Sequence, residues 1–158
     1  MKPHRSILAA TAAVLLSIAG AAPIAAAHTA QARHHGTQHF LGIGTDVNGS
    51  QVVIANGPIH AAGTDVVLSG TLDRFVFPKG NMRVRHTPQT SHDSFDSVTC
   101  LGTHTETGVY KLVDGTRAYA DVSGHGTYRV QAFFVGCSQT EPPSLFTLQI
   151  KAQGPISF

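Results

Sequence analysis

The chain from residue 40 onward consists of short runs of β-branched and aromatic residues, separated by Gly, Pro, Asp and Asn. No run shows the apolar spacing of three, four and seven positions that is typical of an amphipathic helix. Val, Thr, Phe and Tyr dominate the runs, and these residue types favour strands. The pattern predicts seven strands, at residues 40–45, 51–56, 65–77, 81–87, 98–112, 123–135 and 145–153.

Turn signatures lie between these predicted strands. The segments 48–50, 77–81, 113–116 and 140–144 each combine Gly or Pro with Asn, Asp or Ser, as turns do. Residues 88–96 are rich in polar side chains, and we expect them to form the longest loop.

Three glycines, Gly70, Gly108 and Gly126, fall inside the longest predicted strands. Gly within a strand marks a bulge or a bend, so we expect these strands to curve. About seven or eight long strands joined in sequence predict an all-β fold, namely a mostly antiparallel closed β-barrel, because closure removes exposed sheet edges. A two-layer β-sandwich is the alternative.

The N-terminus has the three parts of an export signal. Lys2 and Arg5 precede an uncharged apolar run at residues 7–18, and small residues follow at 25–27. The run is shorter than the roughly 20 residues that cross a bilayer as a helix. We predict a signal peptide at residues 1–27, with cleavage as late as residue 32, and a secreted protein without stable membrane insertion. A retained membrane anchor is the alternative.

Removal of this signal balances the charge of the chain. The whole sequence has 11 Lys and Arg residues against 9 Asp and Glu residues, and Lys2 and Arg5 leave with the signal. The mature chain then has equal numbers of basic and acidic residues, without a dense basic cluster. Nucleic acids require a basic face, so we do not expect them as partners.

Cys100 and Cys137 are the two cysteines of the chain. In an exported protein we expect them to form a structural disulfide, which closes a loop of the 36 residues 101–136. The chain-entropy model assigns such a bond roughly 3 to 4 kcal/mol of stabilisation. A metal-binding pair and a catalytic thiol are the alternatives, but neither the spacing nor an oxidising compartment favours them.

Residues 28–39 have almost no apolar content, and we predict a disordered leader there. His34, His35 and His39 have the spacing HHxxxH, which would bind zinc or copper only weakly in a mobile segment. We therefore expect no metal site and no cofactor. Residues 40–158 then form a single barrel domain.

Four ionisable residues on predicted strands are candidates for chemistry. Strand side chains alternate between faces, so His104 and Glu106 share one face of their strand. If this face and that of His86 line the interior, the three side chains converge, and a desolvated Glu has a raised pKa suited to proton transfer. Asp73 and Arg74 face opposite sides, and an inward charge needs a partner. An outward-facing polar rim is the alternative for Glu106, His104 and His86, and a position beyond the barrel rim is the alternative for Asp73.

A longer set of residues carries a family resemblance. The set comprises 84–88 (VRHTP), Phe95-Asp96, Cys100, 105–112 (TETGVYKL), 115–119 (GTRAY) and 123–128 (SGHGTY). It resembles a secreted family common in actinobacteria and is similar to the allene oxide cyclase-like and dirigent-like β-barrels, although Arg117 stands where their motif has a second Gly. The resemblance implies an eight-stranded barrel with a central cavity. One branch of that superfamily cyclises an unstable epoxide, and another steers radical coupling without redox chemistry.

Three hypotheses on function follow. The first is a secreted barrel that binds a small apolar molecule in its cavity, because the nucleophile elbow, zinc motif and phosphate-binding loop of common enzymes are absent from the sequence. The second is an isomerase or cyclase of the allene oxide cyclase type. The third is an interaction protein of the cell envelope, which includes a homo-oligomer because related barrels often associate.

Overall fold

The computed structural model describes residues 33–47, 49–138 and 140–158. The predicted signal peptide, its cleavage sites and the first residues of the predicted leader lie outside these ranges. Within them, no helix has the length and apolar character needed to cross a membrane.

The described residues form one closed antiparallel barrel of eight strands, which confirms the predicted fold class. Each strand pairs with the next along the chain, and β8 pairs with β1 to close the sheet. A single turn of 3₁₀ helix, Arg117–Tyr119, follows β6. The strands are β1 His35–Gly44, β2 Gln51–Asn56, β3 Ala61–Ser69, β4 Leu72–Phe77, β5 Gly80–Asp96, β6 Leu101–Gly115, β7 Ser123–Val135 and β8 Leu145–Ser157.

The predicted single strand at 65–77 is wrong, because it is a hairpin of β3 and β4. Gly70 and Thr71 form the turn between the two strands. Gly70 therefore lies where the chain reverses direction and does not bend a single strand as the sequence predicts. This extra reversal gives the barrel an even number of strands, so that β8 returns antiparallel to β1.

The predicted loop at 88–96 is also wrong, because these residues extend β5. They pair with β6 after a register shift at Pro88, whose ring nitrogen has no hydrogen to donate to a ladder. Their polar side chains form hydroxyl pairs across the two strands, with 2.6 Å between the Oγ1 atoms of Thr90 and Thr107. The polar composition of residues 88–96 therefore reflects an exposed strand and not a loop.

The predicted disordered leader is wrong for residues 35–39, which belong to β1. His35 pairs with Ser157 and His39 pairs with Gln153 of β8. Gln38 is fully buried, and its side chain holds the loop after β2: Nε2 donates to the carbonyl oxygen of Ile59 at 3.1 Å, and Oε1 accepts from the Ile59 N–H at 2.8 Å. A buried amide with both partners satisfied explains how so polar a segment is ordered.

One end of the barrel is closed by apolar packing. The 3₁₀ turn places Tyr119 over this end, where its ring meets those of Phe77 and Phe158 at centroid distances of 6.3 and 5.4 Å. Met82 lies fully buried in the same core cluster. Aromatic pairs at these separations add to the hydrophobic stabilisation, so this end is a solid core.

The loops that follow β5 and β7 lie at the other end and are cross-linked there. Cys100 precedes β6 and Cys137 follows β7, and the two form the predicted disulfide with their Cα atoms 4.8 Å apart. Their Cα separation is typical of disulfides. The bond ties together two loops at the end where the barrel stays open.

Two glycines inside the barrel each face a tyrosine across the sheet. Gly108 of β6 is opposite Tyr128 of β7, and Tyr110 of β6 is opposite Gly126 of β7. A methyl group on Gly108 would lie 2.6 Å from Cε1 of Tyr128, and one on Gly126 would lie 2.8 Å from Cε1 of Tyr110. The missing side chains therefore provide the space in which the two tyrosine rings lie.

We predict that Gly108→Ala lowers the free energy of unfolding by roughly 1–3 kcal/mol, the usual cost of overpacking. The added methyl group would overlap the Thr87 carbonyl oxygen as well as the Tyr128 ring. Denaturant unfolding measures the change. Gly70→Ala is the control, because nothing lies within 4 Å of the added methyl group there. Equal stabilities of the two variants would contradict this packing.

Candidate functional site

The centre of the barrel contains a small cavity of about 80 Å³. Residues of seven strands, all except β2, line it, and its apolar walls include Phe40 and Phe75. Its polar lining residues are Asp65, Asp73, His86, Glu106, Tyr110 and Tyr128. Ionisable groups inside an apolar cavity are candidates for binding or proton transfer.

The open end of the barrel forms a larger recess of about 490 Å³ above this cavity. Its walls are apolar and come mostly from alternate residues of β7 and β8, such as Ala132, Phe134 and Leu148. Glu106 and Val130 line both the recess and the central cavity. The two spaces are therefore neighbours along the barrel axis, with Glu106 at their junction.

A first group of ionisable side chains lies on β3, β4 and β5. The Oδ2 atom of Asp73 is 3.3 Å from Nε2 of His86. Asp65 is only 3% exposed, and its Oδ1 atom has no hydrogen-bond partner among the described residues. Burial, together with the charge of Asp73, raises the pKa of Asp65 to about 7. Burial also raises the pKa of Asp73, and nearby His86 opposes that rise.

A second group lies on β5, β6 and β7. The hydroxyl of Tyr128 donates to Oε1 of Glu106 at 2.6 Å. On the other side of Glu106, Nε2 of His104 lies 3.9 Å from Oε2, and Nδ1 of His104 lies 2.7 Å from Oδ1 of Asp93 at the exposed rim. Burial and the bond to Glu106 raise the pKa of Tyr128, so this phenol stays protonated as a donor. The group leads from the rim to the central cavity.

The two groups meet in the cavity through an aromatic contact. The rings of His86 and Tyr128 lie edge to face with centroids 5.7 Å apart. Tyr110 lines the same cavity, and burial raises its pKa to about 12. Carboxyl, imidazole and phenol groups thus surround one small apolar space, an arrangement that can accept hydrogen bonds and exchange protons with a molecule bound there.

Positive charge is excluded from this interior. Among the described residues, no Lys or Arg lines the central cavity or the recess. The Lys and Arg residues of the strands are all exposed, and the alternation of strand faces places them on the outer wall. They are Arg74, Arg83, Arg85, Lys111, Arg129 and Lys151. The equal numbers of basic and acidic residues from residue 33 onward therefore divide into an acidic interior and a more basic exterior.

The four candidates that the sequence offered all line these interior spaces. Asp73 and His86 come together at the central cavity, and His104 and Glu106 come together where the recess begins. The structure does not merge them into a single cluster, because His86 faces Asp73 whereas His104 faces Asp93 and Glu106.

Sequence reasoning missed three members of the site. Asp65 stood at the start of a predicted strand that is in fact a hairpin, so its approach to Asp73 was hidden. Asp93 lay in the predicted loop. Tyr128 was not among the candidates, yet its hydroxyl donates to Glu106. The available signal for Asp65 was its position within the run Thr64–Leu68, because a charged group buried in an apolar strand is costly unless it has a partner.

The three histidines of the predicted leader fall within the described residues. His35 and His39 are four positions apart on β1, about 13 Å along an extended strand, which is too far to share an ion. His34 stacks on Phe158. Within the described ranges no group of three or more His, Cys, Asp or Glu side chains is arranged to hold a metal.

Comparison with protein-family models, with curated proteins and with solved structures finds no match for this chain. The fold and the site define its class by themselves: a closed eight-stranded antiparallel barrel with an acidic cavity that opens through an apolar recess.

We predict that Asp65→Asn stabilises the protein at pH 8 but not at pH 4. The unfolded carboxyl ionises near its ordinary pKa of 3.8 and the folded one near 7, so wild-type stability falls as the pH rises through this window and not above it. The gain at pH 8 is at most about 4 kcal/mol, because each pKa unit corresponds to about 1.4 kcal/mol. Denaturant unfolding at both pH values measures it.

The control is Asp121→Asn, which alters an exposed turn. It should change stability by less than about 0.5 kcal/mol at either pH. A gain for Asp65→Asn that is equal at pH 4 and pH 8 would contradict the assignment of a buried, late-titrating carboxyl.

Proposed function

We propose that the protein is secreted and binds a small, mostly apolar molecule inside the barrel. The observation that carries the proposal is the apolar recess of about 490 Å³ that leads to a polar cavity of about 80 Å³. Small-molecule sites are concave, mainly apolar and equipped with a few convergent polar groups, at volumes of roughly 300–1,000 Å³. The recess has the size and the walls of such a site.

The predicted signal peptide and the disulfide support the secreted part of the proposal. Disulfides persist in oxidising compartments and are rare in the cytosol. The Cys100–Cys137 bond also holds the rim of the recess, which keeps the entrance in one shape.

The resemblance to allene oxide cyclase-like and dirigent-like barrels supports a cavity-based function as well. It implies an eight-stranded barrel around a cavity, and this chain has eight strands and a cavity. Membership of that superfamily remains part of the proposal.

An isomerase or cyclase is the second candidate, and one observation favours it. Burial and the charge of Asp73 raise the pKa of Asp65 to about 7, and Asp65 lies in the same cavity as Glu106 and Tyr128. A general acid or base works best when its pKa is near the working pH. A bound molecule with an unstable ring would meet a proton donor and an acceptor in a shaped apolar space.

Binding predicts a saturable signal from a neutral apolar fluorophore, N-phenyl-1-naphthylamine. We expect Leu148→Trp to weaken its binding at least tenfold, because Leu148 is a wall of the recess and the larger ring would fill that space. Thr147→Trp is the matched control, since the adjacent side chain is exposed on the outer face. Fluorescence titration measures both. Absence of binding to the wild type, or equal effects of the two variants, would refute a ligand site in the recess.

The isomerase candidate predicts stereochemical control. When an allene oxide ester is generated in the presence of the protein, the cyclised product should be enriched in one enantiomer, and Glu106→Gln should remove the enrichment while the fluorophore still binds. Chiral chromatography measures the product. A racemic product with the wild-type protein would remove this candidate and leave the binding function intact.

A further inference from the structure

The polar end of the ligand can be inferred from the groups that surround the cavity. Resting on the binding function proposed above, we infer that the ligand is an apolar amine, whose ammonium group binds Asp65 and Asp73 in the central cavity while its apolar body fills the recess. Molecules of the same shape that end in a carboxylate are rejected.

The first argument is the unpartnered acceptor. Asp65 is 3% exposed and lines the central cavity, and its Oδ1 atom has no partner among the described residues. A buried acceptor without a partner destabilises the protein, because it has lost its hydrogen bond to water and gained none in exchange. A ligand that donates a hydrogen bond to this atom removes that cost, so the cavity favours donors over acceptors.

The second argument is charge. Asp65, Asp73 and Glu106 face the cavity, and among the described residues that line it His86 is the one basic side chain. All the strand Lys and Arg residues are exposed on the outer wall. A carboxylate brought into this cavity would meet three acids and no permanent cation, whereas an ammonium group would neutralise buried negative charge.

The third argument is the aromatic lining. Phe40, Phe75 and Tyr110 line the same cavity, and the ring of Phe40 lies 5.3 Å from that of Phe75 and 6.2 Å from that of Tyr110. Aromatic faces attract organic cations, most strongly where water is excluded. Carboxylates and aromatic rings together are a site for an ammonium group.

The fourth argument is size. The central cavity, at about 80 Å³, is several times smaller than the recess of about 490 Å³. The compact ammonium group therefore fits the central cavity, whereas the larger apolar body of the molecule lies in the recess. The walls of that recess are apolar side chains such as Phe134 and Phe146.

The test is displacement of N-phenyl-1-naphthylamine at pH 7 by three probes with one chain length: octylamine, 1-octanol and sodium octanoate. We expect octylamine to displace the fluorophore at a concentration at least tenfold lower than 1-octanol does, and octanoate to be the weakest. Asp65→Asn should reduce the advantage of octylamine over 1-octanol at least fivefold, while 1-octanol binds as before. Asp73→Asn should act in the same direction.

Asp121→Asn is the control, because it removes one acid from an exposed turn far along the chain from both cavity acids. It should leave the order of the three probes unchanged, which separates the cavity acids from the overall charge. Circular dichroism verifies that each variant is folded.

The outcomes distinguish this inference from the proposed function. If octanoate or 1-octanol binds as tightly as octylamine, or if Asp65→Asn and Asp73→Asn both leave the preference intact, the amine inference is overturned while apolar binding stands. If the fluorophore itself does not bind, the proposed function fails and the inference fails with it.

Discussion

The reciprocal pairing of glycine and tyrosine across β6 and β7 is the constraint on which the interior depends. Tyr128 lies against Gly108 and Tyr110 lies against Gly126, so two large rings fit inside a narrow barrel without forcing the strands apart. The same packing brings the Tyr128 hydroxyl to Glu106. A side chain at either glycine would displace a ring, and with it the donor that orders the carboxylate. Barrel closure and site geometry therefore depend on the same contacts.

Charge is sorted by strand alternation. The even-numbered positions of β6 face the interior and include His104, Glu106 and Tyr110. The odd-numbered position of Lys111 faces outward. Desolvation makes the interior acids hold their protons more tightly than acids in water, as the raised pKa values of Asp65 and Asp73 indicate. In the proposed function, the recess takes the apolar body of the ligand, and the acids below it select the polar group.

Strand periodicity and turn residues were sufficient to predict the barrel, because both are local patterns, and the disulfide followed from two cysteines in a chain with a predicted export signal. The hairpin at Gly70 could not be predicted, because a glycine that bends a strand and one that reverses it look alike in sequence. The ordered structure of residues 35–39 could not be predicted either, because it depends on long-range pairing of β1 with β8. His104 and Glu106 could be identified as neighbours, because they lie two positions apart on one strand. Asp65 and Asp73 lie on different strands, so their approach depends on how β3 and β4 pair in the folded protein.

The most direct test of the account is the titration of the Asp65 carboxyl carbon by nuclear magnetic resonance, with and without octylamine. The account predicts a midpoint near pH 7 in the free protein, because the carboxyl is buried in an acidic cavity, and a lower midpoint once an ammonium group is bound. A midpoint near pH 4 that octylamine does not move would contradict it.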